Sequence, residues 1–209
     1  MSIQANKYKN IIFDLGGVIL NIDYDITAKA FEKLGISQFH KLFSKAEQNQ
    51  TFDLYEKGLI SSDEFRDILQ KAVTTPVSKE TIDDTWNAML LDLPPARLDL
   101  LKKMKNTHRT FLLSNTNEIH IQCFSKSLQQ QIGVSDLSDY FEKVYLSYEI
   151  NLRKPDVEIF KYVLDNNRLN PAETLFIDDS PQHIEGAKKL GIHTYWLDVK
   201  KESITDIGL

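Results

Sequence analysis

"FDLGGVIL", residues 13–20, decides how the rest of the chain is read. It closes an apolar run, Ile11-Ile12-Phe13, with an aspartate, Asp14, and then two glycines. A short strand without polar alternation is one buried on both faces, as in a parallel sheet. A carboxylate at the carboxyl end of such a strand stands where open α/β sheets bind ligands. The fold expectation therefore starts from one strand end and extends to every similar strand.

Four further apolar runs have strand length: Phe111–Leu113, Val144–Leu146, Leu175–Ile177 and Thr194–Leu197. Helical patterns separate most of them. Ile159, Phe160, Val163 and Leu164 form one stripe; Ile184, Ala187 and Leu190 form another, stopped by Gly191. "PPARLDLLKKM", residues 94–104, puts prolines at a helix start and cations at its end. Alternating strands and helices predict an α/β fold, a Rossmann-like parallel sheet with helices on both faces. Residues 21–92 carry no convincing strand. They hold helical stripes (Phe65, Ile68, Leu69, Ala72; Ile82, Trp86, Met89), a helix ending at Gly35 and a Ser61/Glu64 capping box. The expected organisation is a catalytic core, residues 1–20 and 93–209, with an inserted all-helical cap, residues 21–92. Short connections at both ends of that insertion read as hinges.

The formal net charge is −5, which argues against non-specific nucleic-acid binding. No apolar run approaches a membrane span, and "MSIQANKYKN" lacks a signal-peptide core. Cytoplasm is the expected compartment. One cysteine, Cys123, excludes an intrachain disulfide and reads as a small apolar core residue.

The residues that follow the strands converge in chemistry. They are Asp14-Leu15-Gly16-Gly17, then Ser114-Asn115-Thr116-Asn117, then Arg153-Lys154-Pro155, then Asp178-Asp179-Ser180. Each group alone is ordinary turn or cap composition. Adjacent carboxylates such as Asp178 and Asp179 repel unless a cation or proton separates them. Carboxylates, a hydroxyl and a cation in this order point to a shared anion-and-metal site.

In these motifs, "FDLGGVILNID", "LLSNTN", "RKPD" and "FIDDSPQHIEGAKKLG", the chain resembles the haloacid dehalogenase superfamily of hydrolases over nearly its whole length. "YEKGLISSDEF" resembles helical-cap sequences of one branch, which includes bacterial sugar-phosphate phosphatases, an α-glucose-1-phosphate phosphatase among them. The resemblance implies a Mg²⁺-dependent phosphatase acting on a small phosphorylated metabolite. It implies Asp14 as nucleophile, forming an aspartyl-phosphate that water hydrolyses. Asp14, the Gly16 carbonyl, Asp179 and, directly or through water, Asp178 would hold the metal. Ser114 and the backbone N–H groups of Leu15 and Gly16 would bind phosphate, Asn115 would help orient substrate, and Lys154 would neutralise both phosphate and Asp14.

Gly16 departs from the family's usual pattern, which has a second aspartate there as acid and base. Glycine keeps the metal-binding carbonyl and loses the proton carrier, a role worth ~10²–10⁴-fold in rate. Asp23, Asp25 and His183 are candidate substitutes; Asp25 and His183 also read as helix-start residues, and Asp23 as a solvated turn residue. Trp86, Tyr24 and Phe52 read as pocket lining or as packing within the insertion. Two other functions fit parts of the pattern. A 2-haloacid dehalogenase also lacks the second acid, and a non-catalytic phospho-ligand or partner-binding protein would tolerate its loss.

Overall fold

The computed structural model describes residues 3–36, 39 and 50–209. Five parallel strands form one sheet in the order β3-β2-β1-β4-β5. They are β1 (Asn10–Phe13), β2 (Arg109–Ser114), β3 (Lys143–Leu146), β4 (Thr174–Asp178) and β5 (His193–Trp196). The last strand starts one residue earlier than its apolar run suggested, and its Trp196 is exposed at the sheet edge. β1 is central and fully buried, as its unbroken apolar run requires.

Side-chain alternation divides the strands between two cores. Ile11, Phe13, Leu112, Leu175 and Ile177 pack with Leu98, Leu101 and Phe124 on one face. Ile12, Phe111, Leu113 and Phe176 pack with Ile159, Phe160, Val163, Ile184 and Ala187 on the other. Helices Pro95–Lys105 and Glu118–Ile132 thus cover one face, and Val157–Asn167 and Pro181–Lys188 the other. This is the right place for helices in a parallel sheet, whose crossovers must return along a face. The strand register is what builds the site. Phe13 pairs with Leu112 on one side and Ile177 on the other, so the next residues, Asp14 and Asp178, emerge side by side at the carboxyl edge.

The insertion contains helices α1 (Tyr24–Lys33), α2 (Gln50–Glu56), α3 (Ser62–Ala72) and α4 (Lys79–Asn87) among the described residues; positions 37, 38 and 40–49 lie outside them. The Ser61/Glu64 capping box forms with both of its hydrogen bonds. Asp23, rather than Asp25, caps α1, its carboxylate accepting from the Asp25 N–H at 2.9 Å. Phe31, Phe39, Phe52, Tyr55, Phe65 and Trp86 make a separate aromatic core that leans on Ile119 at the start of Glu118–Ile132. Tyr55 stacks on Phe65 at 4.1 Å and Phe52 on Trp86 at 5.6 Å. Full burial of such side chains is worth roughly 1.5–3 kcal/mol each, so the insertion holds its own shape.

The two chain crossings to the insertion pair with each other. Asn21 N–H donates to Asp92 O at 3.0 Å, Leu91 N–H to Asn21 O at 3.0 Å, and Asp23 N–H to Met89 O at 2.9 Å. An antiparallel bridge between Ile22 and Leu90 completes a short two-stranded stem. Among the described residues, no helix is long and apolar enough to cross a membrane.

Candidate active site

Lys154 organises the strand edge. Its ammonium is fully buried and donates to Asp14 Oδ1 at 2.7 Å, Asp178 Oδ2 at 2.7 Å and the Leu113 carbonyl at 2.9 Å. All three of its donors are used, so the group is held in one orientation. Burial alone would lower its pKa, but Asp14 and Asp178 raise it, and the lysine stays charged. The peptide behind it is clamped as well. Asn115 donates from Nδ2 to Lys154 O at 2.8 Å and accepts from Lys154 N–H at 2.9 Å. The side chain expected to orient substrate is therefore committed to positioning Lys154.

Asp14, Asp178 and Asp179 each offer an oxygen, all within 4.8 Å of one another. One buried ammonium cannot balance three carboxylates. Burial, above all, together with Asp178 and Asp179, pushes Asp14 up to about 7 against the pull of Lys154. Asp178 is buried too, but Lys154 and then His183 outweigh the burial and hold it down at about 2. Its oxygens accept from His183 Nδ1 at 2.9 Å and from Ser180 N–H at 2.8 Å as well as from Lys154. His183, one of the three candidate proton carriers, thus orients Asp178 through its Nδ1.

Crowded, undercompensated hard oxygen donors suit a divalent cation such as Mg²⁺. The Gly16 carbonyl fits that set. The local bridge runs through Gly17 N–H to Leu20 O and Leu20 N–H to Leu15 O, and so does not draw on it. Gly17 allows the loop to pass this close: its φ is +80°, and a Cβ there would lie 2.8 Å from Asp179 Oδ2.

A pocket opens above Gly16. Leu15, Leu20, Ser114, Asn115 and Thr116 line it from the core, and Ile22, Tyr24, Glu56, Met89 and Leu90 from the insertion. A Cβ on Gly16 would meet Ile22 Cδ1 at 3.0 Å, so an isoleucine occupies the space where a second carboxylate would begin. Asp23 and Asp25 are exposed and do not line the pocket. Tyr24 does line it. Burial, then Asp179, Glu56, Asp14 and Asp178, push its phenol well above the usual value, so it stays a hydrogen-bond donor. Trp86 and Phe52 belong to the aromatic core of the insertion. His120, also at the pocket, stacks on Trp86 at 4.7 Å, and burial holds it down at about 4, neutral. Cys123 is half-buried and away from these groups.

Strand order, the buried lysine between two aspartates and the helical insertion together specify one family. The pattern of the haloacid dehalogenase-like hydrolases matches residues 8–191. The chain belongs to that family. Among curated relatives of this hydrolase is D-ribitol-5-phosphate phosphatase of Bacteroides thetaiotaomicron, 34% identical over 187 residues and covering 90% of each chain. Glyceraldehyde 3-phosphate phosphatase of Pyrococcus furiosus is 30% identical over 119 residues, 56% of this chain and 47% of that one. Among solved structures, a family enzyme from Bacteroides thetaiotaomicron, an aspartate-to-alanine variant in complex with magnesium and inorganic phosphate, superposes with a TM-score of 0.86. It is 39% identical, and the match covers 93% of this chain and 96% of that one.

Tyr24, read from sequence as pocket lining or packing, lines the pocket, and Glu56, inside the quoted YEKGLISSDEF stretch, joins it without having been assigned a role there. The signal for Glu56 was weak: an acidic residue at the end of a short helix, two positions before a glycine.

Proposed function

We propose that this hydrolase is a Mg²⁺-dependent phosphatase for small phosphorylated metabolites of the sugar or polyol kind, and that the insertion is a cap over its site. The observation that carries the reading is the Lys154 ammonium, buried between Asp14 and Asp178 beneath a pocket lined by Ser114. Asp14 is the nucleophile; it attacks phosphorus as the alcohol leaves, and water then cleaves the aspartyl-phosphate. Lys154 keeps Asp14 oriented and compensates the charge of the transferring group. Ser114 Oγ and the backbone N–H groups of Leu15 and Gly16 receive the phosphoryl oxygens. Asp14, Asp179 and the Gly16 carbonyl would hold Mg²⁺, with Asp178 a direct or water-mediated ligand. Bound there, the ion supplies positive charge to Asp14 and to the phosphoryl oxygens.

Glycine at 16 leaves protonation of the departing oxygen to solvent or to the substrate itself. The dehalogenase alternative shares that gap but gives Asp178 and Asp179 no task as a pair. Names of relatives that act on ribitol 5-phosphate and glyceraldehyde 3-phosphate support the substrate class.

The test is phosphate release from a panel of sugar and polyol phosphates, with and without Mg²⁺. Turnover should stop on chelation and return with Mg²⁺, and Asp14→Asn should lose about 10⁴-fold or more while remaining folded. Full activity in metal-stripped protein, or near-normal activity of the asparagine variant, sinks the mechanism.

A further inference from the structure

Among the described residues lining the pocket above Gly16, Glu56 is the one that carries a formal charge. Its placement is deliberate in physical terms. It ends α2, where a carboxylate meets the negative end of the helix and is disfavoured. It is held there by Arg153, which is buried in the core and donates to Glu56 Oε2 from Nε at 3.0 Å, with Nη2 at 2.7 Å. The same guanidinium also binds Asp53 Oδ1 at 2.8 Å. One cation therefore serves two carboxylates, and the insertion presents uncompensated negative charge. Burial, more than Arg153 can offset, keeps Glu56 above its ordinary value, as expected of an undercompensated acid.

The rest of this contact fixes Glu56 relative to the phosphate end. Lys57 pairs with Asp156 at 2.9 Å, and Asn151 Nδ2 donates to Lys57 O at 2.7 Å. At Gly58, φ is +62° and a Cβ would lie 2.2 Å from Tyr148 O, so only glycine lets the two backbones touch. Residues 53–58 are thus clamped to residues 148–156, the segment that delivers Lys154 to Asp14.

On the phosphatase reading above, we propose that Glu56 selects the leaving group by charge. Phosphate esters of neutral, hydroxyl-bearing alcohols are admitted, a hydroxyl donating to the Glu56 carboxylate. Esters whose alcohol carries a carboxylate or a second phosphate are turned away, because a like charge brought into a partly desolvated pocket is repelled.

The experiment compares matched substrates on the full chain with Mg²⁺. Glycerol 3-phosphate and 3-phosphoglycerate differ only in a terminal hydroxymethyl against a carboxylate. The native enzyme should favour the first in kcat/KM by about thirtyfold or more. Glu56→Gln should shrink that ratio at least tenfold, mostly through a lower KM for 3-phosphoglycerate, and Glu56→Asp should retain most of it. A native ratio near one, or a glutamine variant with an unchanged ratio, overturns the proposal. A second pair needs no variant: ethanolamine phosphate, with a cationic leaving group, should outperform 2-phosphoglycolate, and the reverse order would overturn it. Acetyl phosphate separates the two levels of inference. Its hydrolysis without discrimination among the esters overturns only the role of Glu56. No phosphate release from any of the five compounds overturns the phosphatase reading, and this proposal with it.

Discussion

The strand edge and the inserted helices hold charge in opposite ways. At the edge, Lys154 is fully buried, every donor is spent, and Asn115 fixes its backbone from behind. Where the insertion meets the core, Arg153 is buried, but its partner Asp53 keeps 32% of its side-chain exposure, and Asp156, paired with Lys57, keeps 44%. The first arrangement can rearrange only by unfolding the sheet edge. The second can open at modest cost and still return to register. On the proposed function, reaction chemistry and substrate choice would rest on parts of the molecule with different stiffness.

The sharpest break in this contrast is Lys154→Met. It leaves Asp14 and Asp178 buried without their cation, and losing one partner of a buried pair costs about 3–5 kcal/mol. Activity should fall by at least about 10²-fold, because the charge-compensating donor is gone as well. Denaturant unfolding and phosphate release measure the two; a stable, active methionine variant would mean that the lysine is dispensable.

A smaller effect tests the seam between the regions, where His120 stacks on Trp86 and accepts no proton until about pH 4. Its unfolded value is near 6.5, so between these limits the unfolded chain binds more protons and stability falls as pH falls. Asp14, raised to about 7, runs the other way over part of the same window. The comparison that isolates the histidine is wild type against His120→Gln. The advantage of wild type should shrink by about 2–3 kcal/mol between pH 7.5 and 4.5. A pH-independent difference would show that His120 does not titrate as its burial requires.

The smallest effect is expected at Arg153→Met. Loss of the clamp should loosen α2 by about 1–2 kcal/mol, since Asp53 and Glu56 recover solvent on release. Hydrogen exchange should rise in Gln50–Glu56 and hardly change in β1 or β4. Equal protection throughout would place the clamp elsewhere.

The same contrast explains what could be read from the chain beforehand. Asp14 follows β1, and Ser114 and Asp178 end β2 and β4, so parallel register converts their sequence positions directly into proximity; Lys154, eight residues past β3, reaches them by its own hydrogen bonds. Three of the helices over the sheet, Pro95–Lys105, Val157–Asn167 and Pro181–Lys188, were equally legible from their stripes or end signals, whereas Glu118–Ile132 was not singled out. Glu56 was not legible. Its place in the pocket depends on Arg153, ninety-seven positions later, and no local periodicity encodes such a pairing. His183 and Asn115 were visible, but their roles were not: hydrogen bonds to Asp178 and to the Lys154 backbone assign them, and sequence spacing does not. Ile22 over Gly16 belongs to the same class, since a missing side chain does not say what fills its space.

The stem formed by residues 21–23 and 89–92 has one further consequence. The insertion leaves and rejoins the sheet through backbones a single hydrogen bond apart, so the distance its ends must span is the same whatever lies between them. Segments with adjacent ends are the ones that chains exchange, lengthen or delete without retuning the remainder. A two-residue turn replacing the whole block would close that stem without stretching β1. In engineering terms the molecule is a socket with a removable fitting, and new substrate-reading segments can be grafted there while the residues beneath stay untouched.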